Sequence, residues 1–347
     1  MATTFPPGPT TTTVVPDRSG TATQQQRELR ARPGRPDRLF LGLNRTAALV
    51  VLAVIVAIGV FLTVQALPAL RAAKLSFLTT QSWEPDVHHF GIAGIMVGTL
   101  LIAVEAVLIA IPVALGLALF ITEVAPVRFR RTLVSLVDLM AAVPSVVYGL
   151  WALEFLQSRT VGLARWISTW FGWIPIFKVN GAHPTNPVQS GTLYSASTFI
   201  VGIAVSLMVI PILCSVMRES FSQAPLGERE GAYALGATRW GMIRSVVLPF
   251  GRGGIVGGTM LGLGRALGET IVVLLIISPV FNINLHILQA GGNSISALIA
   301  TRANESSSFG TSALMAAGLA LFALTLIVNF VASAIVSRSR SGAESEV

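Results

Sequence analysis

Glu230-Gly231-Ala232-Tyr233-Ala234-Leu235-Gly236, followed after nine residues by Val246-Val247-Leu248-Pro249, sits in a loop, 218–252, that carries Arg218, Arg229, Arg239, Arg244 and Arg252. Long apolar runs flank this loop on both sides, at 195–217 and 253–280. A short helix over Glu230–Leu235 is expected, with Gly236 taking a positive φ as its C-terminal cap. A basic, structured loop between two membrane-length runs marks a chain that crosses a bilayer and presents a helix beside it.

Composition agrees. Of 347 residues, 53% are hydrophobic and only 12% are charged, against about 25% charged in a soluble domain. The class is therefore all-α integral membrane, with the lipid bilayer as its solvent. Six runs reach the roughly 20 apolar residues that a helix needs to cross a bilayer. They lie at 47–67, 91–122, 132–157, 195–217, 253–280 and 311–337. The domain plan is a disordered tail over 1–44, a six-helix membrane domain over 45–337 and a short tail over 338–347. The first tail is rich in Thr, Pro, Gln and Arg and lacks apolar clustering, which is why it reads as disordered.

Net charge is +8, and every basic residue is arginine except Lys74 and Lys178. In a membrane chain this charge faces anionic lipid, not nucleic acid. One side collects the N-terminal arginines, Arg128, Arg130 and Arg131, the arginines of loop 218–252, and Arg338 and Arg340. The other side holds only Arg71, Lys74, Arg159, Arg165, Lys178 and Arg302. That asymmetry predicts that both termini and loop 218–252 are cytoplasmic. The long outward segment 158–194 carries Trp166, Trp170 and Trp173. Two readings of it stand: an interfacial helix with its rings at headgroup level, or a docking surface for an external protein.

The fifth run contains Gly264-Arg265-Ala266-Leu267-Gly268-Glu269-Thr270. If the run is one helix, Arg265 lies about 18 Å from Gly253, near the midplane. A charge there is costly and marks a substrate path more often than a structural ion pair. Glu269 at i+4 is expected to pair with it. Gly254, Gly258 and Gly262 fall on the same face as Arg265 and Glu269, so the pair is expected at a helix seam, naturally one between two subunits. The planar guanidinium favours an oxyanion over a sugar or a metal ion. Glu105, near the middle of the second run, is a candidate second partner for Arg265. No nucleotide-binding G-x-x-x-x-G-K-[ST], metal-ligand pattern or catalytic triad stands out, so no enzyme, cofactor or metal site is expected.

The loop is similar to the EAA loop of ABC-importer permeases, with Gly231 in place of an alanine and Val246 in place of an isoleucine; Glu230, Ala232, Gly236, Leu248 and Pro249 match. Together with Ala142–Trp151 and Gly264–Thr270, it makes residues 45–337 resemble the PstC-type permeases of phosphate-specific ABC importers. The resemblance implies a type I importer permease fold in a bacterial plasma membrane, with the loop helix coupling to ATP hydrolysis. The implied partners are a PstA-type permease, a dimer of a cytoplasmic ATPase, and an external phosphate-binding protein that delivers inorganic phosphate. A permease for another oxyanion, such as sulfate or molybdate, and a self-contained anion channel are the alternatives.

Overall fold

The computed structural model describes residues 35–182, 187–304 and 306–340. The chain divides into two units, Met1–Val54 and Ile55–Val347. In the first, the described residues are the opening turns of α1 (Arg35–Ala73). That helix starts ten residues inside the stretch expected to be a disordered tail; residues 1–34 of that expectation, and 341–347 of the C-terminal one, lie outside the described residues.

After α1, a two-stranded antiparallel hairpin, β1 (Trp83–Glu84) and β2 (His89–Phe90), leads into α2 (Ala93–Leu119). A π-helical turn, Phe120–Val124, closes α2. Next come α3 (Val127–Ala142), α4 (Ser145–Trp151), α5 (Gln157–Phe171) and α6 (Pro187–Tyr194). The long α7 (Thr198–Ser222) precedes α8 (Leu226–Ala234), α9 (Arg239–Met242), α10 (Leu248–Phe250) and α11 (Arg252–Leu267). The chain ends with α12 (Ile271–Ile276), α13 (Ile295–Arg302) and α14 (Ser308–Arg340).

Among the described residues four helices are long and apolar enough to cross a membrane, or six if each of two bent pairs counts as one span. The expected third span, 132–157, is one of those bent pairs. It breaks between α3 and α4, with an 87° bend between Val127–Ala142 and Ser145–Phe171. Pro144 is the cause: it forces the preceding Val143 out of the helical region, to ψ 128°. Pro112 and Pro211, by contrast, lie inside unbroken helices. The expected fifth span, 253–280, is not one helix either. α11 holds 16 residues, about 24 Å, and follows α9–α10 through a 64° bend. Beyond Gly268 the chain restarts as the short α12 and then runs extended.

The main core lies between α2 and α7, the most extensive helix pairing. Ala103, Ala106, Ala110, Ala114 and Ala118 are completely buried along one stripe of α2 and meet Val201, Ala204, Val205 and Leu213 in one cluster. Their 3- and 4-residue spacing keeps them on a single helix face, and their small size lets the backbones approach. A second cluster joins the end of α1, the hairpin, α13 and α14 through Ala66, Ala69, Phe90, Ile295 and Ala313. On the 158–194 segment, Trp166, Trp170 and Trp173 are all exposed.

Candidate functional site

α11 has two glycine faces, and they meet different surroundings. The face of Gly254, Gly258 and Gly262 packs on α7. A Cβ on Gly254 would lie 2.2 Å from Ser220 Cβ, and one on Gly262 would lie 2.2 Å from Leu213 Cδ1. The seam expected between two subunits is thus an internal joint with α7. The other face, which the sequence reading did not single out, is open: a Cβ on Gly257 or Gly264 meets nothing within 4 Å.

That open face lines a cavity of about 760 Å³, together with Ile212, Met260, Leu261, Arg265, Glu269 and Asn329 of α14. Arg265 is exposed on it, in the last turn of α11. A cation there is favourable, because the unpaired carbonyls of a helix C-terminus carry partial negative charge. Glu269 lines the same cavity but is buried at 7% exposure.

The expected i+4 pair does not form. α11 ends at Leu267, so Glu269 is not one turn further along the same helix. Its Oε1 accepts the backbone N–H of Val272 at 3.2 Å, in the first turn of α12, and its carbonyl accepts from Ser296 Oγ at 2.7 Å. No ion pair between Arg265 and Glu269 occurs among the described residues. The carboxylate is committed to capping a helix, while the guanidinium presents its donors to the cavity.

Glu105 lies elsewhere. Its carboxyl carbon would be 2.5 Å from a Cβ on Gly202, so it fills the notch that this glycine leaves on α7. Neither carboxyl oxygen has a hydrogen-bond partner, and Glu105 is not part of the cavity lining. The structure therefore does not make it a partner of Arg265.

Loop 218–252 folds into α8, α9 and α10 with a π turn at Ile243–Val247. Gly236 has φ +82°. Its N–H bonds the Tyr233 carbonyl at 2.9 Å, and the Ala237 N–H bonds the Ala232 carbonyl at 3.0 Å. This pair of bonds is a Schellman cap, which satisfies two carbonyls at the helix end and needs a left-handed residue. Glu230 and Gly231 are exposed, Ala232 and Leu248 half-buried, and Pro249 lies in α10. Leu226, Tyr233, Leu235 and Trp240 are exposed apolar side chains on the same loop, Leu235 at 91%.

The sequence reading counted Arg229 only among the basic residues of the loop. Its Nη1 lies 3.1 Å from Glu123 Oε1 and hydrogen-bonds Glu123 Oε2 at 3.2 Å. Only the second contact has hydrogen-bond geometry. Its Nη2 donates to the Phe221 carbonyl at 2.6 Å. The two residues of this ion pair are 106 positions apart.

Helices long and apolar enough to cross a membrane, a cavity lined by α7, α11 and α14, and a structured loop with exposed apolar side chains are the parts expected of the membrane subunit of a transporter. The chain belongs to the family of binding-protein-dependent transport system inner membrane components, whose family model matches residues 110–341 and so takes in both the cavity and α8. Among its relatives is the phosphate transport system permease protein PstC 2 of Mycobacterium tuberculosis, 39% identical over 313 residues, which are 89% of this chain and 94% of that one. The protein PstC of Pasteurella multocida is 35% identical over 301 residues, 86% of this chain and 91% of that one. In fold, the chain is similar to a bacterial ABC transporter involved in the import of the acidic polysaccharide alginate, with a TM-score of 0.54 at 20% identity over 87% of this chain and 99% of that one. The fold is that of a type I ABC-importer permease.

Proposed function

We infer that this chain is a membrane permease subunit of an ATP-driven importer of inorganic phosphate. The observation that carries the reading is Arg265, a guanidinium exposed in the wall of an otherwise largely apolar cavity. A planar fork that never loses its proton suits a tetrahedral oxyanion, and little in an apolar wall competes for it. The PstC relatives supply the substrate class. Arg265 is the central cation of the path, and Glu269 keeps α12 in register beside it. Phosphate passes between this cavity and a matching surface on a second, PstA-type permease.

α8 is the helix that docks into a cytoplasmic ATPase dimer. Its exposed Leu226 and Tyr233, with Leu235 at its C-cap, are apolar surface left for a partner. An external phosphate-binding protein delivers the ion on the opposite side. The arginine asymmetry supports a topology with α8 and both termini on the cytoplasmic side. A cysteine at Thr238 is then shielded from impermeant thiol reagents in intact cells, while one at Asn180 is labelled, each in a Cys214→Ser background. Labelling of Thr238→Cys from outside would overturn the orientation.

The deciding experiment is radiolabelled phosphate uptake in a strain lacking only this gene, with and without the gene restored. Restored uptake that excess sulfate and molybdate leave unchanged supports phosphate. Competition by either anion at equal concentration moves the assignment to another oxyanion. Restored flux that survives loss of the ATPase makes the chain a passive channel.

A further inference from the structure

α8 packs on α9 and on the π turn Ile243–Val247, with half-buried Ala232 against the main core, and one polar side chain reaches further. None of its described residues is buried. Among the described residues, Arg229 is the α8 side chain that reaches the helix bundle by an ion pair or hydrogen bond. Its guanidinium touches two other segments at once. One is the π turn that closes α2, through Glu123. The other is the last turn of α7, through the Phe221 carbonyl. From α3, Arg130 Nη2 donates at 2.6 Å to the Thr122 carbonyl of the same π turn.

We propose that Arg229 is the positioning residue through which movement of α8 reaches the substrate cavity. The proposal rests on the reading of α8 as the ATPase-docking helix. The route is continuous: Arg229 holds the ends of α2 and α7, and α7 bears the tight glycine seam with α11, which carries Arg265.

Three observations support a transmitting joint over an ordinary surface contact. The side chains of Arg229 and Glu123 are 16% and 5% exposed, so water screens the pair little. The two acceptors lie on different segments, and only a planar fork meets both; a lysine ammonium is a single point. The joint also leaves a donor over: Arg229 Nε is buried without a hydrogen bond, while Glu123 Oε1 keeps only its ion contact with Nη1 at 3.1 Å. A permanent clamp is expected to use every donor. The spare donor gives the same groups room for a second arrangement when α8 moves.

The test uses the complete transporter, with its second permease, ATPase and external binding protein, in proteoliposomes. Phosphate uptake and ATP hydrolysis are measured in the same sample for Arg229→Gln, Glu123→Gln and the double variant. Each single variant is expected to assemble and hydrolyse ATP, with uptake per ATP falling about tenfold, the scale of one charge-assisted hydrogen bond. The double variant falls no further, because both changes break one joint. Arg229→Lys behaves like Arg229→Gln. Three results overturn the proposal: an unchanged ratio of uptake to ATP in assembled Arg229→Gln; effects that multiply in the double variant; or loss of assembled complex with the ratio intact in what remains. A separate arm tests the docking reading. Leu235→Asp, at the exposed C-cap of α8, is expected to release the ATPase. If the ATPase stays bound at full stoichiometry, α8 is not the dock; if it is released but Arg229→Gln keeps a normal ratio, α8 docks and Arg229 is not the joint.

Discussion

Arg229 and Arg265 each have a carboxylate nearby, and the structure treats them in opposite ways. Arg229 is tied to Glu123 and to the Phe221 carbonyl in a shielded joint between segments remote in sequence. Arg265 has Glu269 four residues on, yet the helix ends between them and the carboxylate turns to the Val272 N–H. Proximity in sequence predicted the pair that is absent; the pair that exists needed the fold to bring it together. The contrast is also one of availability. A guanidinium already held by a carboxylate is a mechanical part, whereas one facing an open cavity is a binding group.

The largest test of that contrast is at Arg265. Arg265→Ala is expected to abolish phosphate uptake while the permease still assembles, because the α7 seam, not the charge, holds α11 in place. Arg265→Lys keeps the charge but loses the fork; uptake is expected to fall by about 30- to 100-fold, the loss of one strong charge-assisted hydrogen bond. Uptake normalised to assembled complex measures both. Near-normal uptake by Arg265→Ala would make the charge structural and erase the distinction.

The two glycine faces of α11 sharpen it further. Gly262→Val drives a side chain into Leu213 and Val209, an overpacking of about 1–3 kcal/mol or more, and is expected to reduce the amount of folded protein in the membrane. Gly264→Val projects into open space and is expected to fold normally while lowering uptake severalfold by narrowing the cavity. Detergent-resistant yield and uptake separate the two; equal yields would show that the seam is not a tight joint.

At the docking helix, Gly236→Val forces a β-branched residue to φ +82°, a strain of about 1–2 kcal/mol. No neighbour stands within 4 Å of the new Cβ, so the effect is on backbone alone. The permease is expected to remain in the membrane with ATP hydrolysis partly uncoupled from uptake. Normal uptake per ATP hydrolysed would count against a docking role. The smallest effect is expected from Glu269→Gln. The amide oxygen still accepts from Val272, so α12 stays capped and uptake falls only about two- to fivefold, within the range of a weakened neutral hydrogen bond. A loss as deep as that of Arg265→Ala would mean that the carboxylate charge acts on the substrate path itself.

Much of the architecture was legible in the apolar runs, because burying backbone hydrogen bonds in lipid leaves few options besides helices. The cap at Gly236 was legible too, since only a left-handed residue ends a helix in that way and glycine is the residue that adopts it without strain. The broken spans were harder to read. Pro144 was visible, but Pro112 and Pro211 are tolerated within helices and look the same in the sequence. Thr270-Ile271-Val272-Val273 is apolar enough to read as a continuing span, although its β-branched residues are weak helix formers. Asn329, a lone amide in the last apolar run, was a readable signal that periodicity alone could not assign to a cavity.

What the sequence determined by itself is local or additive: membrane class, helix-forming runs, the position of the α8 cap, and an arginine in an apolar setting. Each depends on a residue and its near neighbours, or on summed hydrophobicity. What the tertiary structure decided is which groups meet. It turned the glycines of one α11 face into a joint with α7 and left the other face open beside Arg265. It sent Glu269 to a helix cap and Glu105 into the notch at Gly202. It also closed the Glu123–Arg229 pair across 106 residues. A side chain's partner is set by the packing of whole helices, and neither periodicity nor spacing within one helix contains that information.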